Sequence, residues 1–247
     1  MMGLAGGLAL EVTSLRVRLL AGGLVGLMFI PFLYTQSRAS YLGFLPAYFV
    51  LVALSRRRRL AIGLLLVGMI AGAVFAPGPI YKRIAGTFQE QPYQPTVRLG
   101  GVRFDPSTSE RLLAMQSAVA GWTKRPILGY GVTGYHFMDT QYFRTLVETG
   151  VIGFGTLLFL LWTVWWTTFA TYRTALDPTV RGLAAGFLAG FVGLLVHAIG
   201  SNSFIIVRIM EPFWFFVGLF VVWPHLKPLA GGEGVARGPL LPGTVGR

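Results

Sequence analysis

The stretch YLGFLPAYFVLVALSRRRRLAIGLLLVGMIAGAVFA, residues 41–76, decides how this chain folds. Two uncharged apolar runs, Tyr41 to Leu54 and Leu60 to Ala76, flank four consecutive arginines, Arg56 to Arg59. Each run approaches the roughly 20 residues that cross a hydrocarbon core. Guanidinium groups are costly inside lipid, so the pattern reads as two spans joined by a turn in water. Short basic turns stay on the cytoplasmic side, so the same four residues also predict orientation.

Working outward, Leu19 to Tyr34 supplies an earlier span, and Val151 to Tyr172, Gly182 to Gly200 and Met210 to Trp223 supply later ones. Charged residues make up 12% of the chain, against roughly 25% in a soluble domain, and the mean hydropathy is +0.64. The expected fold is an all-α membrane protein over residues 1–226, a bundle of about six transmembrane helices. Its long extracytoplasmic loop, residues 77–148, should contain amphipathic helices, and the Gly- and Pro-rich tail, 227–247, should be a disordered cytoplasmic segment. Threading from the tetra-arginine turn puts Arg16, Arg18, Arg173, Arg181 and Lys227 inside, with both termini. Thr35 to Ser40, the long loop and the Ser201 to Arg208 turn then lie outside. The loop carries more basic than acidic residues, an outer basic surface that topology leaves unexplained.

The net charge of +12 does not indicate nucleic acid, because little soluble chain remains to form such a module. It suits membrane lipids and phosphates instead. With no cysteine, disulfides and thiolate chemistry are excluded. His136, His197 and His225 are too scattered for a metal site, so neither metal nor cofactor is expected. The N-terminus does not read as a cleavable signal peptide, since its basic residues follow the small-residue stretch. Gly182, Gly186 and Gly190 repeat at four-residue spacing, which in lipid lets helix backbones approach closely.

Within the loop, Ser107-Thr-Ser-Glu110 has the form of a capping box. Leu112, Met115, Val119 and Trp122 follow as one apolar helical stripe, which Pro126 ends. The glycine-rich turn Arg125-Pro-Ile-Leu-Gly-Tyr-Gly131 resembles a phosphate-binding loop only superficially, since no strand precedes it. Asp139 is placed to cap a helix, Thr140 to Thr149, that runs straight into the fourth span. Arg144 and Glu148 sit four apart and can pair on one face, and Glu148 lies near the membrane boundary. Arg38 sits in the outer hairpin, and His197 and Arg208 lie at the outer ends of spans five and six. Guanidiniums of Arg38, Arg111 and Arg208 converging at a lipid interface would suit a phosphate or pyrophosphate.

Three segments together resemble the O-antigen ligase and polymerase superfamily of bacterial envelope proteins. They are Thr35-Gln-Ser-Arg-Ala-Ser40, then Ser109-Glu-Arg111 with Trp122 and Arg125 to Gly131, then Asp139-Thr-Gln-Tyr-Phe-Arg-Thr-Leu-Val-Glu148-Thr-Gly150-Val-Ile-Gly153. The resemblance implies an inverting, metal-independent glycosyltransferase of the bacterial inner membrane. It would move glycan from undecaprenyl pyrophosphate to an acceptor hydroxyl, on a glycan or a lipid-linked acceptor, at the outer face. By that similarity Arg38 and Arg111 bind the pyrophosphate; Arg208, by its position, is a further candidate for that role, and Glu148 and His197 are candidates to support the site. Asp139 occupies the column where ligases keep a catalytic His, and His136 lies three residues earlier as a substitute. The absence of that His leans the expectation slightly toward a polymerase. The likeness covers the C-terminal half of longer members, so the chain is expected to be a fragment, a sequence with a mis-called start, or a short homologue that needs a partner subunit supplying N-terminal helices. The alternative is a transporter-like or non-catalytic subunit of a polysaccharide assembly system. A transporter would place ionisable residues at mid-span, and the six runs carry none near their centres.

Overall fold

The computed structural model describes residues 1–35, 37–75, 98–99, 102–103 and 106–225. Residues 76–97, which hold Lys82, Arg83 and Glu90, and the tail 227–247 lie outside the described residues. Eight α-helices account for nearly all of what is described: α1 (Met2–Glu11), α2 (Leu15–Tyr34), α3 (Arg38–Leu54), α4 (Arg58–Phe75), α5 (Pro106–Trp122), α6 (Gln141–Thr174), α7 (Pro178–His197) and α8 (Val207–Val222). A two-residue antiparallel pair, Arg98–Leu99 with Val102–Arg103, is the strand content among these residues.

Among the described residues, each apolar run expected to span is helical over most of its length. Four helices are long and apolar enough to cross a membrane by length and composition: Leu15–Tyr34, Gln141–Thr174, Pro178–His197 and Val207–His225. With 17 residues, α3 is shorter, about 26 Å at 1.5 Å per residue. Leu19, Leu20, Leu27 and Ile30 on α2 are exposed, an arrangement that suits a lipid-facing helix.

The bundle is organised around α7. Asp177 caps its start, accepting from the Thr179 N–H at 2.7 Å, and Pro178 needs no donor at the first helical position. Ala184, Ala185, Leu188 and Ala189 are then fully buried among its neighbours. Small side chains allow this. A methyl group on Gly7 of α1 would lie 2.7 Å from the Gly186 nitrogen, and one on Gly43 of α3 would lie 2.7 Å from the Gly193 carbonyl oxygen. On the opposite side, Phe187 and Phe191 pack with Phe213, Phe216 and Phe220 of α8.

The glycine repeat thus receives α1, a helix that the sequence pattern did not announce. Its ten residues, about 15 Å, cover the half of α7 nearest the tetra-arginine turn. There Glu11, whose side chain is 2% exposed, accepts from the Arg56 N–H at 2.8 Å and pairs with Arg181 at 3.5 Å. Arg181 also donates to the Tyr172 hydroxyl at 3.1 Å and lies over its ring, while that hydroxyl donates to the Leu54 carbonyl at 2.6 Å. Four helices, α1, α3, α6 and α7, are tied together at this end.

Over-packing the α1–α7 contact should cost roughly 1–3 kcal/mol. Gly7→Leu or Gly186→Leu is expected to lower the thermal midpoint in detergent by about 5 °C or more. Gly26→Leu on α2, where a new methyl meets nothing within 4 Å, should leave the midpoint unchanged.

Candidate functional site

At the end of the bundle opposite the arginine turn, three elements meet around a cavity of about 100 Å³. Ser37, Arg38 and Ala39 line it from the start of α3, Ser107 and Arg111 from α5, and His197, Gly200 and Ser201 from the end of α7 and the turn that follows. Each wall has a local cause. The Ser37 side chain caps α3 by accepting from the Ser40 N–H at 3.3 Å, which fixes Arg38 at the first helical position. The Gly43–Gly193 approach then lays the first turns of α3 against the last turn of α7. Arg38 donates through Nη1 to the Thr108 hydroxyl at 3.1 Å and so joins α3 to α5.

Pro106, rather than Ser107, starts α5, so Ser107 lies in the first turn and is not the cap that the motif suggested. Proline is well suited to that position. The buried face of α5 is Pro106, Ser109, Ala118 and Gly121, not the larger stripe of Leu112, Met115, Val119 and Trp122. Small residues face the protein because α5 packs closely against α6, while Val119 stays exposed and Leu112, Met115 and Trp122 are half-buried. Arg111 therefore stands between the packed face and the cavity.

The lining is chemically one-sided. Among the described residues, two guanidiniums, an imidazole and serine hydroxyls surround the space, and no carboxylate lines it. Such a set is suited to the oxygens of a phosphate or diphosphate. His197 is also a wall of a second, larger cavity of about 520 Å³ between α2, α3 and α7, lined by apolar side chains that include Val25, Met28, Phe29, Phe32 and Phe44. A polar compartment and an apolar one thus share a wall.

Arg208 does not join this group. It is exposed at the start of α8 and lines a separate space beside Phe213 and Phe216, because the turn after α7 carries it to the other side of that helix. His136 is exposed and rests against the Tyr135 ring, away from the cavity lining. Asp139 is exposed and does not line the cavity either, but Asn202 connects it to the neighbourhood. Asn202 donates to the Met138 carbonyl at 2.8 Å and to Asp139 Oδ1 at 3.4 Å, and the next residue, Ser203, is 2.6 Å from His197 Nδ1. Asp139 is not a helix cap: Thr140 holds that position without a side-chain bond, and the Gln141 N–H donates to the Ala198 carbonyl at 3.1 Å. Nothing in its own segment marks Asn202 for this role; only packing of the 138–142 segment on the 195–204 turn reveals it.

Glu148 is buried and paired with Arg144 at 3.0 Å, close to a break in α6. The helix does not run straight into the fourth span, because Gly150 adopts φ 64°, ψ −168°, a conformation essentially reserved for glycine. The carbonyls freed by the break find donors in the glycine-rich turn. Tyr130 N–H donates to Val147 O at 3.1 Å, Gly131 N–H donates to Glu148 O at 2.8 Å, and in return Val151 N–H donates to Pro126 O at 2.9 Å. Gly129 and Gly131 reach this position with φ of 67° and 90°. The turn is a backbone clasp on the break, with its amides committed to carbonyls rather than offered to an anion.

A methyl group on Gly150 would both strain the backbone and strike the Ile127 carbonyl. Gly150→Ala is expected to cost about 2 kcal/mol or more, read as a lower unfolding midpoint in detergent. Gly131→Ala, where a methyl meets nothing within 4 Å, should carry the backbone cost alone and shift the midpoint less.

A family model described as O-antigen ligase matches residues 23–158, a segment that includes both cavity arginines and the clasped break. No curated protein and no solved structure matches the chain.

Proposed function

The chain belongs to the O-antigen ligase family, since that match covers more than half of its 247 residues, and from this premise we propose that it transfers glycan from a polyprenyl diphosphate to an acceptor hydroxyl. Its place among integral membrane proteins of envelope polysaccharide synthesis follows from the family and the apolar helices. One observation carries the finer reading. Arg38 and Arg111, 73 positions apart in sequence, line one cavity that shares a wall with an apolar compartment. An amphiphile with a diphosphate head and a long apolar tail has the matching shape and charge.

In this reading the arginine-rich end is cytoplasmic and the Arg38 end faces outward. The acceptor hydroxyl attacks the anomeric carbon on the face opposite the diphosphate. The carbon–oxygen bond to phosphate breaks, and the diphosphate leaves with the electron pair. Arg38 and Arg111 stabilise the charge that develops on it, an electrostatic contribution. Asp139, exposed beside the cavity and held by Asn202, orients the hydroxyl and accepts its proton late in the transition state. A carboxylate is a weak base beside an imidazole, which favours orientation over early deprotonation. Because ligases keep His in that column, the reading leans to a polymerase that extends a glycan. The donor is the polyprenyl-linked glycan and the acceptor another glycan or lipid-linked sugar.

Arg38→Ala or Arg111→Ala in the native host should reduce surface polysaccharide by about 100-fold or more, with the protein still present in the membrane. Unchanged polysaccharide would reject the assignment.

Because the natural chain has no cysteine, orientation can be read with single substitutions. Leu128→Cys, 72% exposed at the Arg38 end, should react with a membrane-impermeant maleimide in intact cells. Leu176→Cys, 98% exposed between α6 and α7, should react only after permeabilisation. The reverse pattern would leave the proposed chemistry on the wrong side of the membrane.

A further inference from the structure

His197 lies outside the segment matched by the family model, yet it forms the inner wall of the cavity that Arg38 and Arg111 line. Its position is over-determined. It is the last residue of α7, and a methyl on Gly43 would lie 3.6 Å from its backbone nitrogen, so the first turns of α3 lie alongside it. One ring nitrogen is already committed, because Nδ1 stands 2.6 Å from the Ser203 hydroxyl. That serine is fully buried in a short 3-10 turn, Ser203–Ile205. The turn is pinned on both sides: Asn202 donates to the Met138 carbonyl, and the Phe204 N–H donates to Gln141 Oε1 at 3.2 Å. The hydroxyl therefore cannot follow the ring if the ring moves.

We propose that His197 is the third arm of the anion site, donating through Nε2–H to a phosphate oxygen of the diphosphate held by Arg38 and Arg111, with Ser203 as the positioning residue that fixes the tautomer. The Ser203 hydroxyl donates to Nδ1, which leaves the proton on Nε2. The alternative tautomer would turn a lone pair toward a space whose other polar lining side chains, among the described residues, are guanidiniums and hydroxyls, and would add an acceptor where the ligand supplies only acceptors. Standing on the wall shared with the apolar cavity, His197 would bind the phosphate at the junction of head group and lipid chain. The assignment rests on reading this cavity as the diphosphate site, and it adds a ligand from α7 that the family match does not reach.

The test uses the full chain in detergent micelles with inorganic pyrophosphate as the probe and calorimetry as the readout, each variant being checked for an unchanged melting curve. His197→Ala should weaken pyrophosphate binding about tenfold, the scale of one lost hydrogen bond to a charged group. His197→Gln, whose amide nitrogen falls near Nε2, should retain affinity within about threefold. His197→Asn, whose amide reaches only the Nδ1 position, should lose it as Ala does, and it serves if the Ala variant fails to fold. Ser203→Ala should weaken binding by a smaller factor and Ser203→Thr should restore it, a rescue that a merely structural role would not produce. Pyrophosphate binding that falls in Arg38→Ala but is unchanged in the folded His197 variants would overturn the inference and leave the transferase reading standing. Binding that depends on His197, in a host whose surface polysaccharide is indifferent to Arg38 and Arg111, would uphold the anion site and remove the transferase. Wild-type protein that binds no pyrophosphate would overturn the inference directly.

Discussion

Close approach of helix backbones to α7 is the constraint on which the rest of this structure depends. In lipid there is no hydrophobic gain from joining two apolar helices, so association rests on packing, and packing improves when side chains are small. Gly7, Gly43 and Gly186 allow helix-to-carbonyl approaches that an added Cβ would disrupt. The consequence reaches the site. Because α3 seats on α7 through Gly43 and Gly193, the arginine at the start of α3 is delivered beside the histidine at the end of α7. At the other end, the Glu11–Arg181 pair with Tyr172 fixes which helices meet, so the seam has one register. Removing one member of such a buried pair is costly because its partner is left charged and alone.

The break in α6 obeys a second rule of the bilayer, that every freed backbone group must find a partner. Gly150 ends the short helix and starts the span, and the clasp of residues 126–131 takes up the carbonyls of Val147 and Glu148. This arrangement turns the short helix, with Asp139 at its entry, toward the turn that carries Asn202 and Ser203. Three glycines with positive φ serve that single junction, which explains a glycine-rich motif that otherwise invites comparison with nucleotide loops. The donor-lined cavity, the carboxylate beside it and the clasp thus form one construction, assembled from segments that are distant in sequence.

Some of this was legible without coordinates. Uniform apolar runs bounded by arginines are strong local signals, and each became a helix within a few residues of its expected limits. The Arg144–Glu148 pair was readable because helical spacing alone brings those side chains together. Arg38 and Arg111 stood out as charges placed at the ends of apolar or amphipathic helices. Arg208 stood out for the same reason and yet lines a different space, because an end-of-helix position specifies depth and leaves azimuth open. The first helix escaped notice because ten residues rich in glycine and alanine carry no periodicity, and the seam that holds them lies on another segment. The capping expectations at Ser107 and Asp139 missed by two residues and one residue respectively, which is the scale on which local propensity yields to packing.

By itself, then, the sequence determined that this is a membrane-embedded helical chain, where its apolar helices run, and which basic groups stand at their ends. Hydropathy and charge are properties of a short window, and the bilayer reads them window by window. Which of those groups share a cavity was decided only in three dimensions. Rotation of each helix about its axis, the break at Gly150 and the close glycine contacts set the directions of side chains, and none of these is fixed by the residues of one segment alone. His197 shows the difference: the sequence places it at the outer end of a run as a supporting residue, and only once α3 has settled on α7 does it become the wall between a polar and an apolar space.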